Sequence, residues 1–158
     1  MEKIISIKEI EDFKIESVSS LEGKNGVRLG MAQMISGIFG GDSMDGYEIV
    51  TDEHTYRVLI DNGQSCCEDW GYLSSEDDLD KFLGAKLKDI KFTDTALNQK
   101  KVSDTCGTYG FDSGGIIFVD FETTNGVLQL AVYNGHNGYY GHGILVTKDM
   151  EILLNETI

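Results

Sequence analysis

Alternation of apolar and polar positions recurs along this chain, and most of its segments read as strands. YEIVTDEHTYRVLID (47–61) sets β-branched and aromatic residues on both sides of DEHT, which predicts two strands around a turn. IIFVDFETTNGVLQLAVY (116–133) predicts a stronger hairpin, with Asn125-Gly126 at its turn. KLKDIKFTDT spaces Leu87, Ile90 and Phe92 in imperfect alternation and predicts a further strand. KIESVSSL alternates Ile15 and Val18 and predicts another. Predicted helices are short. SSEDDLDKFLGAKL offers Ser74 or Ser75 as a cap, acids in its first turn, and Leu79, Phe82 and Leu83 on one face. SIKEIEDF has a capping-box spacing from Ser6 to Glu9.

These pieces recur in order. EIEDFKIESV (9–18) resembles DLDKF (78–82) followed by KLKDI (86–90), with LGA inserted. Each predicts an acidic helix leading into a strand. A glycine-rich segment follows each (21–46 and 94–115), then a hairpin ending in Asn-Gly, at Asn62-Gly63 and at Asn134-Gly135. The expected class is α+β: one globular domain over 1–158, a mostly antiparallel β-sheet with a few short helices, and two α-β-β-β units at 6–72 and 75–146. Duplication and chance recurrence both account for a match this shallow. Aligning the halves sets NGQSCCEDWGY (62–72) against NGHNGYYGHG (134–143). Cys66, Cys67, Glu68 and Trp70 then fall opposite Gly138, Tyr139, Tyr140 and His142.

Composition narrows the function. The 158 residues carry a formal net charge of −14, which argues against a DNA or RNA polymer as partner, because phosphate backbones need basic faces. A small anion needs only a local cluster of donors. No apolar run is long enough to span a bilayer. Acidic residues interrupt MEKIISIKEIED at once, so no signal peptide is expected and the cytoplasm is the expected compartment. Three cysteines, two of them adjacent, read as reduced thiols rather than a disulfide framework.

The two aligned segments hold the candidate chemistry. Glycine permits close backbone approach to a ligand. Tyrosine, tryptophan and histidine supply flat faces with polar tips. The expected ligand-binding set is Arg57, Cys67, Glu68, Trp70, Phe82, His136, Asn137, Tyr139, Tyr140 and His142. Tyr139, Tyr140, Trp70 and Phe82 would stack on rings. Arg57, Arg28, Asn137 and glycine amides would meet a diphosphate. Plainer readings stand beside these: Trp70 as core, the cysteines as buried thiols, and the histidines as strand-end residues. Cys66, Cys67, His136 and His142 are zinc-type ligands, but adjacent cysteines rarely chelate one tetrahedral ion, so no metal and no cofactor are expected. A cysteine hydrolase using Cys66 or Cys67 with His136 or His142 is the enzymatic alternative. A protein inhibitor acting through its acidic surface is another.

SCCEDWGY together with YNGHNGYYGH resembles a family of small phage and prophage proteins over roughly residues 46–146. That group is in turn similar to phage anti-defence proteins acting against Thoeris immunity. The resemblance implies a non-enzymatic sponge, a homo-oligomer that sequesters a nucleotide-derived signal of the cyclic ADP-ribose type without cleaving it. The segment 21–46 has no counterpart in that resemblance, and the sponge family's ligand contacts do not transfer residue by residue.

Overall fold

A computed structural model describes residues 1–14, 43–63, 69–105, 113–136 and 142–158. Nine strands make up most of them: β1 (Glu2–Lys14), β2 (Ser43–Thr51), β3 (Thr55–Asp61), β4 (Asp69–Ser74), β5 (Lys86–Thr93), β6 (Ser113–Thr123), β7 (Gly126–His136), β8 (Gly143–Lys148) and β9 (Glu151–Thr157). The helical content described is one 3-10 turn (Leu79–Phe82) and one short helix, α1 (Gln99–Thr105). The fold is therefore mostly β, not the α+β arrangement expected, and the helix expected to open the first repeat unit is part of a strand.

The segment read as a capped helix at 6–13 lies inside β1. Its apolar residues do not alternate simply, because the register shifts between Ile4 and Ser6 and again between Ile10 and Phe13. Each bulge turns the following side chains to the other face. Ile4 and Ile7 thus join the main core, whereas Ile10 and Phe13 pack with Met44, Leu59 and Leu145. The second expected helix shrinks to the 3-10 turn. Asp78 caps it by accepting from Asp80 N at 3.1 Å. Gly84, at φ 83°, then takes the chain out of it. Gly84 N donates to Ile4 O and Ile4 N to Ala85 O, both at 2.8 Å, so pairing with β1 supplants further helical turns. The strands at 47–61, 86–93 and 116–133 form as expected, with Gly126 at φ 109° in the β6–β7 turn. The strand expected around Ile15 and Val18 lies outside the described residues.

The strands form one antiparallel sheet in the order β4-β7-β6-β5-β1-β2-β3-β8-β9. β1 is the joint. Only Glu2 and Lys3 pair with β5, and the rest of the strand pairs with β2. The two halves share one core, in which Tyr47, Ile49, Val58, Ile60 and Val146 meet Val119, Phe121, Leu128, Leu130 and Val132. Burying large side chains from both inner faces stabilises by roughly 1.5–3 kcal/mol apiece before entropy is counted. The outer face of the β6–β7 half carries a second cluster, Leu73, Phe118, Ala131 and Tyr133, against which Val102 of α1 packs.

The first eight strands have a symmetric order. Exchanging β1, β2, β3 and β4 with β5, β6, β7 and β8 maps the order β4-β7-β6-β5-β1-β2-β3-β8 onto its own reverse. After the β2–β3 hairpin the chain crosses to the other half, where β4 pairs with β7. After the β6–β7 hairpin it crosses back, where β8 pairs with β3.

Candidate functional site

The described residues that follow the two crossings, Trp70 and His142, meet at one end of the sheet. Backbone pairing sets Asp69 opposite Gly135 and Trp70 opposite Asn134. On the returning crossing, Ile144 opens the β8–β3 ladder opposite Ile60. Trp70 and His142 then stack, with ring centroids 5.2 Å apart and planes 27° apart. These residues occupy matching places in the two half-orders, each just after a crossing, and they are the pair that aligning the sequence halves sets together.

His142 is held on several sides. It is 2% exposed. Its Nδ1–H donates to the Asp61 carbonyl at 2.6 Å, which assigns the proton to that nitrogen because a carbonyl only accepts. Its backbone N donates to Ile158 O at 2.8 Å and its carbonyl accepts from Ile158 N at 3.0 Å. Buried Asn134 donates from Nδ2 to the same Ile158 carbonyl at 2.9 Å. The C-terminal residue thus ties the starts of β8 and the end of β7 together. Trp70 is half-buried and packs against the main core, so its plainer reading as a core residue also holds in part.

The inner face of β4 continues the aromatic surface. Tyr72 meets Tyr47 edge to face at 5.3 Å. Burial raises the Tyr72 hydroxyl above the ordinary tyrosine range, and the carboxylates of Glu9, Asp45 and Glu11 raise it further. Carboxylates are therefore the charged neighbours that act on the Tyr72 hydroxyl. On the opposite face of β4, a Cβ at Gly71 would lie 2.7 Å from the Tyr133 hydroxyl, so glycine makes room for that ring.

The other expected site residues distribute as follows. Arg57 lies on the outer face of β3, where Nε binds Glu48 Oε2 at 3.0 Å and the guanidinium sits 4.6 Å above the Phe13 ring. Phe82 is fully buried in the main core. Neither is brought to the crossing. The backbone of His136 pairs with Ser113 at the end of β7. Cys66, Cys67, Glu68, Asn137, Tyr139 and Tyr140 lie outside the described residues. Asp61 and Ile158 complete the described surroundings but escaped the sequence reading: each contributes a backbone group, and residue type carries no signal for that.

Residues 3–146 match the model of a family described as Domain of unknown function (DUF7448). The chain belongs to the DUF7448 family. No curated protein matches it, and no solved structure does. The DUF7448 match spans both crossings and stops within β8, so Asp61, Trp70, Asn134 and His142 are all inside it, whereas β9 and Ile158 are not. Among the described residues, no helix of this DUF7448 protein is long and apolar enough to cross a membrane.

Proposed function

We propose that this protein is a non-catalytic capture protein for a small nucleotide-derived signal of the cyclic ADP-ribose type. It is made by a phage, acts as a homo-oligomer in the host cytoplasm, and disarms immunity of the Thoeris kind by holding the signal intact. The observation that carries this reading is the Trp70–His142 stack, where the two motif segments leave and re-enter the sheet. Half-buried Trp70 offers the ring surface there, backed by buried His142, and stacking on it needs no catalytic group. A wall fixed by strand pairing and by the His142–Asp61 hydrogen bond loses little freedom when a ligand arrives. Tyr139, Tyr140 and Asn137 belong to the segment that Asn134 and His142 bracket. With a net charge of −14 and Glu9, Glu11 and Asp45 near Tyr72, an anionic signal approaches against the field. Local amide donors therefore have to hold its phosphates.

Titrating the protein into cyclic ADP-ribose isomers and cyclic nucleotides tests this. Depletion of one of them should saturate at a fixed ratio of ligand to protein, and heating to unfold the protein should return the same molecule with unchanged mass. Tyr139→Ala or Tyr140→Ala should weaken capture by roughly 1–3 kcal/mol, the cost of a lost stacking face. Depletion beyond the fixed ratio, or a product of different mass, would overturn the reading in favour of a hydrolase.

A further inference from the structure

A second cluster lies away from the crossings, where the β2–β3 turn meets the start of β1. Glu2, Glu53 and His54 each offer one ligand atom, and the three atoms lie within 4.8 Å of one another. We propose that these three side chains bind a divalent transition-metal ion of the zinc class.

The donors suit such an ion. One imidazole nitrogen and two carboxylate oxygens are a zinc-type ligand set. Glu2 and His54 are also oriented from outside the triad. His54 Nδ1 lies 2.5 Å from Asp149 Oδ2, which leaves Nε2 as the nitrogen for the metal, and a carboxylate behind a ligating histidine is the usual support for one. Asp149 is in turn fixed by the Thr55 amide, 2.8 Å from Oδ1. Thr51 donates to Glu2 Oε1 at 2.7 Å and Tyr56 to Glu2 Oε2 at 2.5 Å, so both oxygens are aimed while each keeps a second lone pair. Thr51 Oγ1 also accepts from the amides of Glu53 and His54, at 3.2 and 2.9 Å, which fixes the turn that carries two of the ligands. Glu53 is exposed and can swing inward to shorten the spread to metal–ligand distances.

The surroundings point to an accessible ion. Three protein ligands leave a coordination position open. Glu2 and Tyr56 also line a cavity of about 380 Å³, whose wall includes Lys88, Phe92, Lys148 and Leu153. A water or small anion on the metal would have room there. The net charge of −14 that opposes an anionic signal favours a cation.

The test uses tag-free full-length protein stripped with EDTA, with Zn²⁺ in calorimetry and Co²⁺ in absorption spectroscopy as probes. One ion per chain is expected, with cobalt bands from nitrogen and oxygen ligation. His54→Gln and Glu53→Gln should each weaken binding at least about 10-fold, and Asp149→Asn by about 10–100-fold, as for other supports of a ligating histidine. Glu53 is exposed, so its variant keeps the test clear of folding effects. Absence of binding, binding unchanged in both His54→Gln and Glu53→Gln, or binding abolished instead by Cys66→Ser with Cys67→Ser would overturn the proposal.

Discussion

Gly46 has no room for a side chain. A Cβ there would lie 1.9 Å from the Val58 carbonyl oxygen and 2.9 Å from its carbon, both backbone atoms that the β2–β3 ladder holds in place. Gly126 is the contrast, since a Cβ there meets nothing within 4 Å and only its φ of 109° resists substitution. Gly46→Ala should therefore destabilise by about 3 kcal/mol through overpacking, and Gly126→Ala by about 1 kcal/mol through backbone strain. Urea unfolding of the two variants checks the difference; equal losses would contradict the steric account. The turn at Asn125-Gly126 was legible in the sequence because its dipeptide has a local conformational meaning. Gly46 was not, because what forbids a Cβ there is the neighbouring strand. Arg57 and Phe82 show the same limit. Residue type alone did not say that Arg57 pairs with Glu48 or that Phe82 lies in the core.

At the scale of elements, His142 joins three strands. Its ring packs on Trp70 at the start of β4, bonds the Asp61 carbonyl at the end of β3, and stands just before β8. His142→Ala should cost about 2–3 kcal/mol, combining lost packing with a lost buried hydrogen bond. Trp70 is the sole tryptophan, so its fluorescence should change in the same variant, and an unchanged spectrum would contradict the stack. Elements whose signal is local were readable: the 47–61 and 116–133 hairpins and the 86–93 strand follow from alternation and turn chemistry. β1 was misread as a helix because its two bulges break the alternation that identifies a strand. The turn at 79–82 was read as longer than it is because the Gly84 amide and the Ala85 carbonyl beyond it pair with Ile4, a partner far away in sequence.

At the scale of the whole molecule, the buried tyrosines set how the protein responds to alkali. Burial holds the Tyr47 hydroxyl well above its ordinary value of 10.0; a hydrogen bond from Ser74 partly offsets this, and Glu9 adds to it. The unfolded chain then releases that proton near pH 10 while the folded chain keeps it. The contribution is fully present below pH 10 and is lost as pH rises toward the folded value. Stability should accordingly fall above about pH 10, and Tyr47→Phe should make that fall shallower. Tyr56, held up likewise by burial and by its bond to Glu2, keeps part of the slope. Denaturant midpoints at pH 9 to 11 for both proteins measure this, and parallel slopes would contradict the assignment.

By itself the sequence determined the strands with clean alternation, their turns, the strongly acidic charge and the concentration of aromatic, histidine and glycine residues in two segments. All of these are properties of neighbours along the chain. Only the tertiary structure decided that the first expected helix gives way to a strand and the second to a single turn, that β1 joins two halves of one sheet, and that β4 and β8 each cross to the opposite half. Strand pairing satisfies backbone groups with partners many residues distant, so it overrides local helix signals of only a few tenths to about one kcal/mol per residue. The same pairing brings Trp70 onto His142, and Glu2 beside Glu53 and His54, because antiparallel ladders set contacts by register rather than by distance along the chain.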